Sequence, residues 1–402
     1  MSEYFDEEGK PILFGPDFSS CPQPGYQELR TRCPVARTSV FDQVVIARHE
    51  DVVRALRQPE IFSSRVDLQL ALGTERPMIP QQIDPPEQTR YRRLLDPHFS
   101  RRRMQRLEPQ IREQAGRLID GFFSEGRCEF DRDFAVPLPC NAFLNLFGLP
   151  DDRMDFFLEI KDDIIRPQVR HEDADPSHMK EIRAGAGKRM YAYFEEAMDE
   201  RMDVPSDDLL GSLLTAEIDG EKLERSEILD ICFLMLLAGL DTVTATLGCN
   251  LAYLAANPEQ RQRIVESPQL IPGAVEELLR WETPVTAVPR VLLQDVEIAG
   301  EQLEAGQMVT LLLGSANTDP EHFEDADRVD FERARYVHAA FGVGPHRCLG
   351  SHLARMELVV AMEEWHARIP DYRLQPGETP RYSAGIRELL YLPLEWDVPR
   401  AS

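Results

Sequence analysis

Closely spaced cysteine pairs are missing from this sequence. Its seven cysteines (Cys21, Cys33, Cys128, Cys140, Cys232, Cys249 and Cys348) form no CxxC motif and no regular spacing. That excludes a zinc ribbon and a disulfide-framed secreted fold, and points to reduced thiols. Positive charge is also in short supply: 45 Lys plus Arg stand against 70 Asp plus Glu, a formal charge of −25. Nucleic acid and anionic lipid both need a basic surface, so neither is expected as the main partner. There is no internal repeat, no low-complexity linker and no GxGxxG fingerprint. The start, MSEYFDEEGK, is acidic and lacks an apolar core, so no signal peptide or anchor is expected and the protein reads as cytoplasmic. The long apolar run at 231–256 could span a bilayer, which takes about 20 residues. Asp241 near its middle would cost roughly 2.5–3.5 kcal/mol there. No positive flank precedes it, and a helix buried through a soluble domain fits better.

What is present is enough to bury a substantial core: 402 residues, 43% of them hydrophobic. Helical periodicity marks 50–62, 103–123, 178–202, 231–256, 272–282 and the stretch after Cys348, which Pro370 ends. Strand-like runs are short: a hairpin at 37–46, another at 290–313 with turns at Ala299-Gly300 and Ala305-Gly306, and a last run at 383–396. The expectation is a single domain over 1–402, mainly α with small β-sheets at one side.

Polar residues stand out against this background in a few places. In AFGVGPHRCLG, residues 340–350, three glycines surround Cys348 just ahead of a helix, whose free N–H groups and dipole favour an anionic sulfur. A buried cysteine beside an ordinary turn is the other reading. The central helix is expected to start with Ser226 as N-cap and to end at Asn257-Pro258. At its middle, AGLDT puts Asp241 and Thr242 in apolar surroundings where each needs a partner. Thr242 is placed to bond back to the Ala238 carbonyl and loosen the helix, while Gly239 leaves a groove. The segment is either a packing glycine beside a capped polar pair, or a proton relay opening on a narrow apolar cavity. Glu277 and Arg280 share a helix face, as surface ion pairs commonly do. Gln88 and Arg92, four apart in DPPEQTRYRR, could hold an anion or belong to a solvated basic helix. Arg290 opens an apolar strand.

Taken in order, these motifs resemble the cytochromes P-450, in particular the soluble bacterial monooxygenases, over nearly the whole chain. FGVGPHRCLG matches that family's haem-thiolate loop, AGLDT its oxygen-activating helix and Glu277-Leu278-Leu279-Arg280 its structural Glu-x-x-Arg. FSSR at 62–65, DPPEQTRYR at 84–92 and ANTDP at 316–320 follow in the family order. The resemblance implies the cytochrome P-450 fold, with haem b between the long central helix and the helix of the cysteine loop. It makes Cys348 the thiolate ligand of the iron, with Phe341, Gly342, Gly350 and Ala238 against the cofactor. Gln88, Arg92, Arg290 and His346 would bind the propionates. Many relatives carry His where Gln88 stands and Arg where His346 stands, which alters propionate hydrogen bonding and leaves ligation in place. Glu277 and Arg280 are assigned to the fold of the haem pocket. Ile79 within 71–83, Leu234, Leu237, Ala238, Val288 within 285–288 and Ile386 would line an apolar substrate pocket.

The implied activity inserts one oxygen atom of O2 into a hydrophobic small molecule: a terpenoid, steroid, fatty acyl or aromatic compound. Electrons would come from NAD(P)H through a separate ferredoxin reductase and ferredoxin, and protons through Asp241 and Thr242. One rival is a peroxide-driven haem-thiolate peroxygenase, which has no need of an oxygen-protonating pair. The other is a non-catalytic haem-binding sensor, which would never turn over a substrate. A basic run in this acidic chain, RYRRLLDPHFSRRRMQR at 90–106, is either a solvated helix and loop or the docking site of an acidic ferredoxin through Arg101, Arg102 and Arg103. A monomer is expected.

Overall fold

The structure, a computed structural model, describes residues 3–13, 15–38, 43–66, 72–74, 76–171, 173–202, 206–334, 337–383 and 386–398. The apolar run forms one central helix, Arg225–Ala256. It is long and apolar enough to cross a membrane, yet 67% of its most apolar window is buried inside the protein. Its start differs from the expectation, because Ser226 lies within the helix. Glu224 caps it: its N–H donates to Glu227 Oε2 (2.6 Å) and its carbonyl accepts from the Ile228 N–H (3.1 Å). This is the reach-back of a capping box, made by a carboxylate where a hydroxyl was expected. The helix ends as expected, with Asn257 leading into a new helix, Pro258–Glu266. Nor does it loosen at Thr242, for it runs unbroken through 238–242. Thr246 Oγ1 donates back to the Thr242 carbonyl (2.7 Å), using that oxygen's second lone pair without displacing the helical bond.

The chain divides into two compact units: Met1–Ser63, Met104–Leu138 and Thr242–Ser402 in the first, Ser64–Arg103 and Pro139–Asp241 in the second. In the first, β1 (Val35–Arg37) and β2 (Val44–Ile46) pair as the expected hairpin, whose turn at 39–42 lies outside the described residues. With β3 (Phe62–Ser63), β4 (Ala287–Leu292) and β5 (Met308–Leu312) they form a sheet in the order β1-β2-β5-β4-β3. The two-residue period of β2 serves both faces. Val44 and Ile46 pack with Leu56, Phe62 and Leu311, while Val45 packs with Phe5 and Leu29. The hairpin Val296–Ile298 with Glu301–Leu303 turns at Ala299 and Gly300, both at positive φ (52° and 86°), as its two-residue turn requires.

Prolines shorten two expected helices. The first ends at Arg57, ahead of Pro59, and Phe62 joins the sheet. The stretch 103–123 becomes Arg101–Met104 and Glu108–Phe122, with Pro109 in the first turn of the second. The helix after Cys348 spans Ser351–Arg368. Trp365 anchors it, fully buried and edge-on to Phe130 (4.9 Å) and Phe134 (5.6 Å). In the second unit, helices Met154–Ile165 and Pro176–Arg201 bury Phe157 against Phe194, which also packs on Phe147.

Candidate active site

In the first unit, the loop ahead of Ser351 is built by backbone bonds and glycine. The Ala339 N–H donates to Asn317 Oδ1 (2.6 Å), the Gly342 N–H to the Ala339 carbonyl (2.8 Å) and the Cys348 N–H to the Phe341 carbonyl (2.7 Å). Gly344 has a φ of +73°, and a Cβ there would sit 2.5 Å from the Leu56 carbonyl oxygen. Both facts demand glycine. Cys348 emerges exposed, two residues before the N-cap Gly350, whereas Cys128, Cys140, Cys232 and Cys249 are buried. Burial pushes the Cys140 thiol up to about 12, which keeps it protonated and unreactive. Behind the loop, Arg355 stacks on Phe341 (4.3 Å) and pairs with Glu276, which also meets His338 Nε2 at 3.2 Å. Burial raises the Glu276 pKa, but His338 and Arg355 outweigh it and bring the carboxyl down to about 2. Arg290 is buried on β4, its Nη1 donating to the Pro289 carbonyl, and His346 sits in the turn Gly344–His346.

Glu277 and Arg280 form a pair with both side chains fully buried, at 2.8 and 2.9 Å. Arg333 is a third member, 3.0 Å from Glu277 Oε2, and Arg280 also donates to the carbonyls of Asn317, Ala326 and Arg328. One carboxylate and two guanidiniums thus fasten the segment that leads into the cysteine loop. Arg333 could not be read from the sequence, because a partner 56 positions away leaves no local pattern.

In the second unit, Gln88 is buried and Arg92 pairs with Asp96 (2.8 Å) on the helix Glu87–Leu95. Ile79 is buried. Leu234 and Leu237 are half-buried and Ala238 is exposed, at helical spacing on a mostly buried helix. Ala71 and Glu75 of the 71–83 segment lie outside the described residues. A Cβ on Gly239 would meet Phe143 at an ordinary 3.5 Å, so the glycine is not forced by packing among the described residues.

Asp241 is fully buried, and its Oδ1 accepts from Lys161 Nζ and Arg166 Nη2, each at 3.0 Å. Asp162, partly accessible, closes the group, bridging both cations at 3.1 Å. Burial pulls the Lys161 pKa down, but the Asp241 carboxylate overrides it and holds the ammonium above its ordinary value. Oδ2 of Asp241 is buried with no hydrogen-bond partner among the described residues. Lys161 and Arg166 escaped the sequence reading, since a lysine on a helix rich in Asp and an arginine just past its end look like a solvated face.

Among the described residues no cluster of His, Cys, Asp and Glu could hold a bare metal ion. The donors have a different character: the first unit carries one accessible thiol on an amide-rich loop together with Arg290 and His346, and the second carries Gln88 and Arg92. An accessible thiol on a loop of backbone amides suits the iron of a porphyrin. The comparisons agree. The cytochrome P450 family model matches residues 173–271 and 269–365. The chain is 34% identical to the mycinamicin IV hydroxylase/epoxidase of Micromonospora griseorubida, over 92% of this chain and 94% of that protein. It is 33% identical to a steroid C26-monooxygenase of Mycobacterium tuberculosis, over 87% and 86%. The solved structure of cytochrome P450 CYP109Q5 from Chondromyces apiculatus superposes with a TM-score of 0.85 at 32% identity, over 97% and 98% of the two chains. The chain belongs to the cytochrome P450 family and has its fold. It is a haem monooxygenase whose cofactor is haem b.

Proposed function

We propose that the two units act as one haem-thiolate domain that hydroxylates or epoxidises a lipophilic small molecule, with electrons relayed from NAD(P)H through a ferredoxin reductase and a ferredoxin. We assign it to the cytoplasm as a monomer. Bound through Cys348, haem b supplies the activation of dioxygen. The protein's part is to hold the sulfur as an anion, anchor the propionates through Gln88, Arg92, Arg290 and His346, and deliver protons. The observation that carries this reading is the buried Asp241 beside Thr242. Asp162 is partly accessible, Lys161 and Arg166 pair with both Asp162 and Asp241, and Thr242 follows Asp241 in the chain. A peroxide-driven enzyme needs no such route, and a sensor needs no proton at all.

Substrate exclusion of water falls to the apolar stripe of Leu234, Leu237 and Ala238, with Ile79, Val288 and Ile386. The named substrates of the relatives, a macrolide and a steroid, support a bulky lipophilic ligand within the terpenoid, steroid, fatty acyl or aromatic range. Purified holoprotein with ferredoxin, reductase and NADH, offered a steroid panel, is expected to form hydroxylated product at the expense of NADH. Turnover only with added hydrogen peroxide would contradict the proposal.

A further inference from the structure

Arg387 fastens itself and its neighbour Ile386 to Glu282 and Pro284, in the stretch that leads into the strand carrying Val288. It is 5% exposed, and its Nε donates to Glu282 Oε2 (2.5 Å) while Nη1 donates to the Ser19 carbonyl (2.7 Å). Its own N–H donates to the Pro284 carbonyl (2.9 Å), and its carbonyl accepts from Cys249 Sγ on the central helix (3.4 Å). The guanidinium also lies over the Tyr382 ring at 5.0 Å. Segment 283–286 is pinned as well. Thr283 has a φ of +41°, strained for a β-branched residue. Its hydroxyl donates to the Arg280 carbonyl and accepts from Asn317 Nδ2, both at 2.8 Å. The Thr286 carbonyl accepts from the Gly314 N–H (3.0 Å).

A buried ion pair adds little stability over apolar residues of the same volume. What a guanidinium adds is direction, because its planar fork addresses several acceptors at fixed angles. Here those acceptors belong to Glu282 and Ser19, while the backbone of the same residue holds Pro284 and the central helix. We infer that Arg387 is a specificity-determining positioning residue, which with Glu282 sets the spacing between Ile386 and Val288 and so the size of ligand admitted. The inference rests on the proposed pocket.

The test compares dissociation constants for a monoterpenoid and a steroid, read from the optical spin shift of the ferric holoprotein. Arg387→Met combined with Glu282→Met leaves no unpaired buried charge. It is expected to change the ratio of the two constants about tenfold, the scale on which pocket shape discriminates ligands. Arg387→Lys, which keeps the charge and loses the fork, is expected to shift the ratio in the same direction by less. The thiolate Soret band of the reduced carbon monoxide complex should be unchanged in both. Ile386→Trp serves as the control for the pocket itself and should weaken the steroid more than the monoterpenoid. If Ile386→Trp acts and the double variant leaves the ratio unchanged, Arg387 is structural and the inference is overturned. If neither variant alters binding, the pocket assignment is wrong and the inference goes with it.

Discussion

His366 lies on the helix that follows Cys348 and is 4% exposed. Its Nδ1 faces the Met362 carbonyl at 2.7 Å and must carry the proton, leaving Nε2 to accept from the Tyr372 hydroxyl (3.2 Å). Burial lowers its pKa to about 4 from 6.5, more than the Met362 bond raises it. The unfolded chain therefore takes up the proton first, so stability falls as pH drops from 6.5 and stops falling near 4. The loss amounts to about 3 kcal/mol. His366→Gln should flatten the melting temperature over that window relative to the parent protein, and parallel curves would contradict the assignment. At this scale the sequence was informative where chemistry is local. Cys348 in its glycines, Asp241-Thr242 in an apolar run and Glu277 three before Arg280 are all visible by eye. Lys161, Arg166, Arg333 and Arg387 were not, because each earns its role from a partner brought close only by folding.

Along the central helix, accessible and buried polar positions fall on separate residues. Leu234, Leu237 and Ala238 are its accessible stripe, while Asp241 is turned to the buried cations of the helix Met154–Ile165 and of Arg166 beyond it. Thr242→Ala should leave ligand affinity within about twofold and lower product formed per NADH, the missing electrons appearing as peroxide or water. Lys161→Met should do the same with a slower rate, because one arm between Asp162 and Asp241 is lost. Undiminished coupling in both variants would sink the relay. The helix itself was legible in length and burial, since an acid in the middle of an apolar run marks a core element. Its start was misread because the cap is a backbone bond to a carboxylate, which carries no Ser or Thr signature. The breaks at Arg57 and before Glu108 follow from prolines whose effect outweighs a continuing apolar period.

Across the whole molecule, the charge of −25 leaves the arginine run at 90–106 as the exception. Arg101 and Arg102 are exposed, while Arg103 donates to the Asp207 carbonyl (3.2 Å) and Arg90 pairs with Asp219 (3.0 Å). The docking proposal therefore narrows to Arg101 and Arg102. Reversing both to Glu should slow reduction by ferredoxin about tenfold at low salt and leave ligand binding unchanged. Salt should slow the parent protein too, as the screening length shrinks from about 10 Å at 0.1 M to about 3 Å at 1 M. Rates indifferent to both would rule the site out. The fold class was readable because helical periods dominate and the strand runs are short; the division into two compact units was not, since it cuts through the middle of one helix.

Thiolate ligation of the haem iron by Cys348 is tested by one spectrum. The reduced holoprotein with carbon monoxide is predicted to show the red-shifted Soret band of thiolate-ligated haem, and Cys348→Ser to lose it while other cysteines are untouched. A band that persists in Cys348→Ser would mean that another residue ligates the iron.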